Sequence, residues 1–146
     1  MLFLRREESH MKLLMFQAKR FRFRTFEKTL EQVPDLNLEE EIHEAAVIFL
    51  QAEGRDEESL DSVFSKTLKN IKWLANKRGL KKVVLHSFTH LGGETAAPDF
   101  AQAILERLAE RLRSTGYEVW ITPFGYVCEW DLSVFGESLA KVFKAL

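Results

Sequence analysis

A chain of 146 residues, 46% hydrophobic and 29% charged, has the length for one domain with a proper core and the composition of an ordinary globular protein. A net charge of −1 and a pI near 6.4 exclude a protein that coats nucleic acid non-specifically, while leaving room for recognition of a single RNA end through a few phosphate contacts. The lone cysteine, Cys128, excludes a disulfide framework, and the longest clean apolar run, Ala45 to Leu50, is too short to span a bilayer, so the expected location is the cytoplasm.

The opening MLFLRREESH has too brief an apolar segment to be a signal peptide, and Met11 directly precedes the first strand-like run. Residues 1–10 are therefore expected to be an extension, with one domain over 11–146. Lys12 to Phe16 reads as a buried strand. Arg20, Arg22 and Arg24 alternate with Phe21 and Phe23 and predict a second strand with one basic face. That face suits either a phosphate backbone or a solvated edge strand protected by its charges. Glu27 to Glu44 is acidic, contains Pro34 and an Asn37-x-x-Glu40 capping pattern, and is expected to be a surface connection.

Ala45 to Leu50 predicts a central strand, and Glu53 to Asp56 a turn with Asp56 placed to cap a helix. The stripe of Leu60, Val63, Phe64, Leu68, Ile71, Trp73, Leu74 and Ala75 predicts a helix over 57–78, stopped by Gly79. Val83 to Leu85 is a third buried strand. Pro98 opens a helix that runs to about Thr115, and strands follow over 117–121 and 126–132. Leu139, Val142 and Phe143 place a last helix over 136–146. The alternating middle implies parallel crossovers and the strand pairs at either end imply antiparallel hairpins, giving a mixed-sheet α/β domain without internal repeat.

Two stretches carry chemistry. In Val83 to Phe100 a buried strand ends at His86 and His90, passes through Gly92-Gly93 and Glu94, and restarts as a helix at Pro98. Ligands favour such strand-to-helix turns, where free backbone N–H groups can hold an oxyanion and His90 could orient water or meet a ribose hydroxyl. A turn that merely needs glycine is the plain alternative. In Thr122 to Trp130, Phe124 and Tyr126 flank Gly125, a spacing that suits base stacking or equally a tight turn with two core aromatics. His86 reads as a hydrogen-bonded, partly buried core histidine. No metal is expected, because His86 and His90 lie on a strand end rather than on one helical face.

Ser87-Phe88-Thr89-His90-Leu91 with Glu94 and Pro98, followed by Pro123-Phe124-Gly125-Tyr126, resembles the N-terminal editing domain of archaeal threonyl-tRNA synthetase, whose motifs are close to P-F-A-H-L-x-x-E and A-P-F-G-Y. The likeness runs from Met11 over nearly the whole chain. It implies the three-layer α/β/β fold of the D-aminoacyl-tRNA deacylases, a homodimer, and hydrolysis of a wrong amino acid from the tRNA 3′ end without a cofactor. Because no synthetase catalytic domain follows, it further implies a free-standing, trans-acting deacylase, with a threonyl-tRNA synthetase as a further partner. Position by position, His90 matches the active-site histidine. Ser87, Phe88 and Thr89 match the backbone around the terminal adenosine, with Glu94 following, and Phe124, Gly125 and Tyr126 match the second wall, followed by Val127 where the family often carries a second tyrosine. This chain has Cys128 where the family carries a lysine, and Lys141 where it carries a glutamate on the last helix.

Three functions follow from these residues. In the first, an aminoacyl-tRNA deacylase, an already activated ester is cleaved by positioned water and main-chain donors, with Lys141 supplying charge. The second is a non-catalytic module that binds a tRNA end or a nucleotide-like ligand. The third is a cysteine or zinc hydrolase built on Cys128 and His90.

Overall fold

The structure, a computed structural model, describes residues 10–89, 91 and 95–146. Strand β1 (Lys12–Lys28) is followed by β2 (Glu39–Gln51), a 3-10 turn (Gly54–Ser59), α1 (Leu60–Asn76) and β3 (Lys82–Ser87). Then come α2 (Pro98–Ser114), β4 (Glu118–Ile121), β5 (Tyr126–Val134), a second 3-10 turn (Ser138–Ala140) and β6 (Lys141–Ala145). The sheet runs β4-β3-β2-β1-β5, and β6 pairs with the remaining part of β1. As the alternating pattern predicts, β2–β3 and β3–β4 are parallel and joined through helices. The expected N-terminal extension lies outside the described residues except for His10, whose backbone N–H donates to Leu146 O and whose ring meets the buried Asp56 at 3.1 Å.

The two strands expected at the N-terminus are one strand with a slip in its alternation. Leu13 and Met15 face the helices, and Ala18 faces away from them, yet Phe21 and Phe23 share the face of Ala18. An extra residue at Lys19 accounts for that change of parity. On β2 the same slip falls at Glu44, since Ile42 joins the face of Ala45, Val47 and Phe49. The pairing of β1 with β2 skips Lys19 and Glu44 together, and Glu44 takes a left-handed backbone with φ 52°. Matched bulges on neighbouring strands keep the register while bending both.

The bend is large. Trp130 lies opposite Phe23, whereas Phe49 lies opposite Leu14, nine residues earlier on β1. A flat sheet would separate those positions by about 30 Å at roughly 3.3 Å per residue. Their rings are 5.1 Å apart, so the far half of β1 and all of β5 curl back over β2 and β3. This makes a second β layer. Helices α1 and α2 cover the other face, burying Val63, Leu68, Ile71, Leu74, Ile104, Leu108 and Leu112 against Met11, Leu13, Ile48 and Leu85. The architecture is thus the three-layer α/β/β arrangement.

Four expectations are corrected. The acidic surface connection is only residues 29–38, because Glu27 and Lys28 finish β1 and Glu39–Glu44 begin β2. The 117–121 and 126–132 strands form no hairpin, since β5 crosses to the far side and pairs with β1. The basic strand is not an edge. β2 and β5 flank it, Arg22 meets Glu39 and Asp131, and Arg24 meets Glu129, so the arginines are matched by carboxylates on both neighbours. The last helix is a 3-10 turn followed by β6. The spacing of Leu139, Val142 and Phe143 is helical, but the open edge of β1 at Lys12–Phe16 takes Lys141–Ala145 as a strand, with Val142 inward and Leu139 left in the turn.

Candidate active site

A cleft of about 360 Å³ lies where the carboxyl end of β3 meets the turn between β4 and β5, a size usual for small-molecule sites. Parallel pairing brings these segments together. β3 and β4 end side by side, and Thr122 N–H donates to Leu85 O at 3.0 Å, so the chain beyond each strand opens onto the same hollow. Ser87, Phe88 and Thr89 line one wall; Phe124, Gly125, Tyr126, Val127 and Cys128 line the other. Trp130, carried over by the curl of β5, completes the lining with Thr29 and Leu30 from the β1–β2 connection.

The Pro123–Tyr126 turn is held from outside. Gly125 has φ +83°, and a Cβ there would stand 2.8 Å from Val33 Cγ1. Its carbonyl accepts from Thr29 N–H at 2.7 Å. The Tyr126 hydroxyl donates to Pro34 O and accepts from Leu36 N–H at 2.8 Å. Tyr126 therefore spends its polar tip on locking residues 29–38 against the cleft, which its spacing in the sequence did not reveal.

On the other wall, Phe88 N–H is used by Leu50 O at 3.0 Å, whereas Thr89 N–H on that wall, and Phe124 and Gly125 N–H on the facing turn, make no backbone hydrogen bond among the described residues. They remain available as donors. Behind this wall the buried Lys12–Glu53 pair, 2.8 Å apart, is joined by Gln51, whose amide oxygen accepts from Leu91 N–H at 2.9 Å. His90 and Glu94, the candidate histidine and glutamate, lie outside the described residues, as do Gly92 and Gly93.

Lys141 is placed elsewhere. It begins β6 opposite Phe16, its ammonium turns toward Gly136 O, and it does not line the cleft. Its expected position on a helix was wrong because that helix is a strand. Cys128 does line the cleft, half-buried beside Trp130, and burial pushes its thiol above its ordinary pKa. A thiol so shifted stays protonated at neutral pH and is a poor nucleophile. Among the described residues no three His, Cys, Asp or Glu side chains gather as metal ligands. No helix among them is long and apolar enough to cross a membrane.

His86 and Trp130 are the contributors that the sequence undervalued. His86 is 5% exposed, pairs through Nδ1 with Thr122 Oγ1 at 2.8 Å, and lies 4.9 Å from the Phe49 ring. Burial lowers its pKa to about 4, so the ring is neutral at physiological pH. Among the described lining residues there is no Lys, Arg, Asp or Glu. The described lining of the cleft thus combines aromatic walls, hydroxyls, free main-chain donors and the neutral imidazole of His86.

Residues 11–146 match the sequence profile of the archaea-specific editing domain of threonyl-tRNA synthetase. The chain belongs to that family. It is 30% identical over 139 residues to the threonine–tRNA ligase of Thermococcus kodakarensis, and 33% identical over 140 residues to that of Hyperthermus butylicus. These alignments take in 93% and 92% of this chain but 22% of each ligase, so the chain spans about a fifth of the relatives it matches. Among solved structures, the c-Myc DNA unwinding element binding protein has a TM-score of 0.62 at 13% identity, covering 92% of this chain and 98% of the other. That likeness concerns the fold. The editing domain therefore has the three-layer α/β/β architecture that the resemblance implied.

Proposed function

We propose that this editing domain is a trans-acting aminoacyl-tRNA deacylase that removes a wrong aminoacyl group, such as serine on threonine tRNA, from the tRNA 3′ end. One observation carries the reading: the two family segments, Ser87–Thr89 and Phe124–Tyr126, line a single cleft from opposite sides. The ester enters with its carbonyl toward the free N–H groups of Thr89, Phe124 and Gly125. Water adds to the carbonyl carbon, the negative charge on the carbonyl oxygen is held by main-chain donors, and the C–O bond to the ribose breaks. The products are the amino acid and a free terminal ribose hydroxyl. Preorganised donors of this kind contribute on the order of hundredfold to thousandfold each in known acyl-transfer sites. In this reading His90, which follows Thr89 in the sequence, is the residue that orients the water, and Glu94 is the family's accompanying carboxylate. Lys141 has no part in the bond-breaking step, and Cys128 serves as a wall.

The partners in this reading are the aminoacylated tRNA end, a second copy of the chain and a threonyl-tRNA synthetase, in the cytoplasm. The test is release of labelled amino acid from seryl- and threonyl-threonine-tRNA and from D-aminoacyl-tRNAs, with light scattering for the oligomer. Turnover of the seryl ester above the uncatalysed rate, lost in His90→Ala, is the expected result. Absence of turnover on every ester sinks the proposal.

A second reading, a non-catalytic module that binds the tRNA end, is favoured by Cys128, whose protonated thiol stands in the cleft wall where the family carries a lysine. Binding of the tRNA end without turnover, and turnover gained in Cys128→Lys, selects it.

A further inference from the structure

The cleft holds one buried titratable side chain that the chemistry above does not use. His86 is 5% exposed, and its Nδ1 is committed to Thr122 Oγ1 at 2.8 Å. Its other ring nitrogen, Nε2, has no hydrogen-bond partner in the described part of the protein. No described buried side-chain nitrogen or oxygen is left sealed without a partner, so Nε2 opens onto the cleft that the residue lines. Phe49 and Phe88, with ring centroids 4.9 and 6.0 Å from the imidazole, hold it in place. A nitrogen presented at the bottom of an aromatic hollow is costly to leave unmatched.

A tRNA enters such a hollow end first, because the rest of the polymer must stay outside. The group esterified to the terminal ribose enters with that end and comes within reach of the residues that line the cleft, His86 among them. We propose that His86 is a specificity-determining residue, whose Nε2 takes an uncharged hydrogen-bonding group on the side chain of the esterified amino acid. This deepens the deacylase reading and rests on it. The Thr122 hydroxyl can rotate to donate to Nδ1 or accept from it, so Nε2 can present a proton or a lone pair as the ligand requires. Acidic side chains are rejected, since the described lining offers no cation and a neutral imidazole does not repay the dehydration of a carboxylate. The low pKa of about 4 is consistent with a ring that stays neutral through the working range. Purely apolar side chains fit but leave Nε2 unsatisfied, and a site built to hydrogen-bond discriminates against them.

The experiment uses three non-hydrolysable probes, the 3′-seryl, 3′-alanyl and 3′-aspartyl amides of 3′-amino-3′-deoxyadenosine. Affinity is measured by calorimetry, and the His86 ring is followed by nitrogen NMR in protein labelled at histidine. The seryl probe is expected to bind about tenfold more tightly than the alanyl probe, one hydrogen bond's worth, and to move the Nε2 resonance. The alanyl probe leaves that resonance in place, and the aspartyl probe binds weakest. His86→Asn keeps an amide beside Thr122 but removes the atom at Nε2, and is expected to erase the seryl preference. His86→Gln, which returns an amide to the Nε2 position, restores part of it. An unchanged preference in His86→Asn, an unmoved Nε2 resonance at saturation, or no binding of any probe overturns the proposal. If His86→Asn does not fold, the wild-type resonance and His86→Gln decide. Histidine-dependent probe binding without tRNA deacylation defeats the enzymatic reading alone, whereas deacylation with a preference blind to His86 defeats this inference alone.

Discussion

His86 shows how a single buried side chain couples stability to pH. Its folded pKa of about 4 lies below the ordinary 6.5, so between these values the unfolded chain binds a proton that the folded one refuses. Stability from this group is complete above pH 6.5 and is lost as pH falls toward 4, by about 3 kcal/mol over the whole interval. His86→Phe removes that component. Urea midpoints at pH 7 and pH 4 are expected to fall less on acidification in the variant than in the wild type, and equal falls would refute the assignment. Gly125 is constrained twice, by a left-handed backbone and by Val33 Cγ1 at 2.8 Å from any added Cβ. Gly125→Ala is expected to cost about 1–2 kcal/mol in a denaturant melt and to loosen the Thr29 contact that borders the cleft.

Among the elements, β1 and β2 carry the feature that departs furthest from a regular strand pair. Glu44 is exposed and sits at φ 52°, where a side chain is disfavoured and glycine is not. Glu44→Gly is expected to raise stability by up to about 1 kcal/mol, part of the relief being offset by the freer unfolded chain, and Glu44→Val to lower it by about the same. Thermal melts of the pair check the sign. The arginine row on β1 belongs to this scale as well. Alternation with phenylalanines marked its exposed face correctly, but not the acids opposite it, because Glu39, Glu129 and Asp131 arrive from two other strands.

Across the whole molecule, the curl that places β5 over β2 creates the second β layer and brings Trp130 to the cleft. Trp130 packs on Phe49 and, at 6.4 Å, on Phe21, so it clamps the two layers together. Trp130→Ala is expected to cost about 2–3 kcal/mol, less than a fully buried aromatic because the ring is 39% exposed. Near-ultraviolet dichroism and the denaturant midpoint report it, and an unchanged midpoint would show that the layers are held by other contacts.

Local patterns alone were enough for α1, α2, β3 and β4, whose spacing, Pro98 and Gly79 act within a few residues. They also marked Val83–Phe100 and Thr122–Trp130 as the stretches of interest, because glycine, proline and aromatics in short runs announce turns wherever they fall, while the resemblance narrowed these to Ser87–Thr89 and Phe124–Tyr126. Partners far apart in the chain decided the remainder. Whether Val142 and Phe143 belong to a helix or a strand depended on the open edge of β1, and this moved Lys141 away from the cleft. The bulges at Lys19 and Glu44 are visible only once β1 and β2 are paired, and His86 became a cleft residue only when Thr122 and the curled β5 surrounded it. Backbone groups must be matched and apolar faces covered by whatever the folded chain brings near, and a linear pattern does not contain those neighbours.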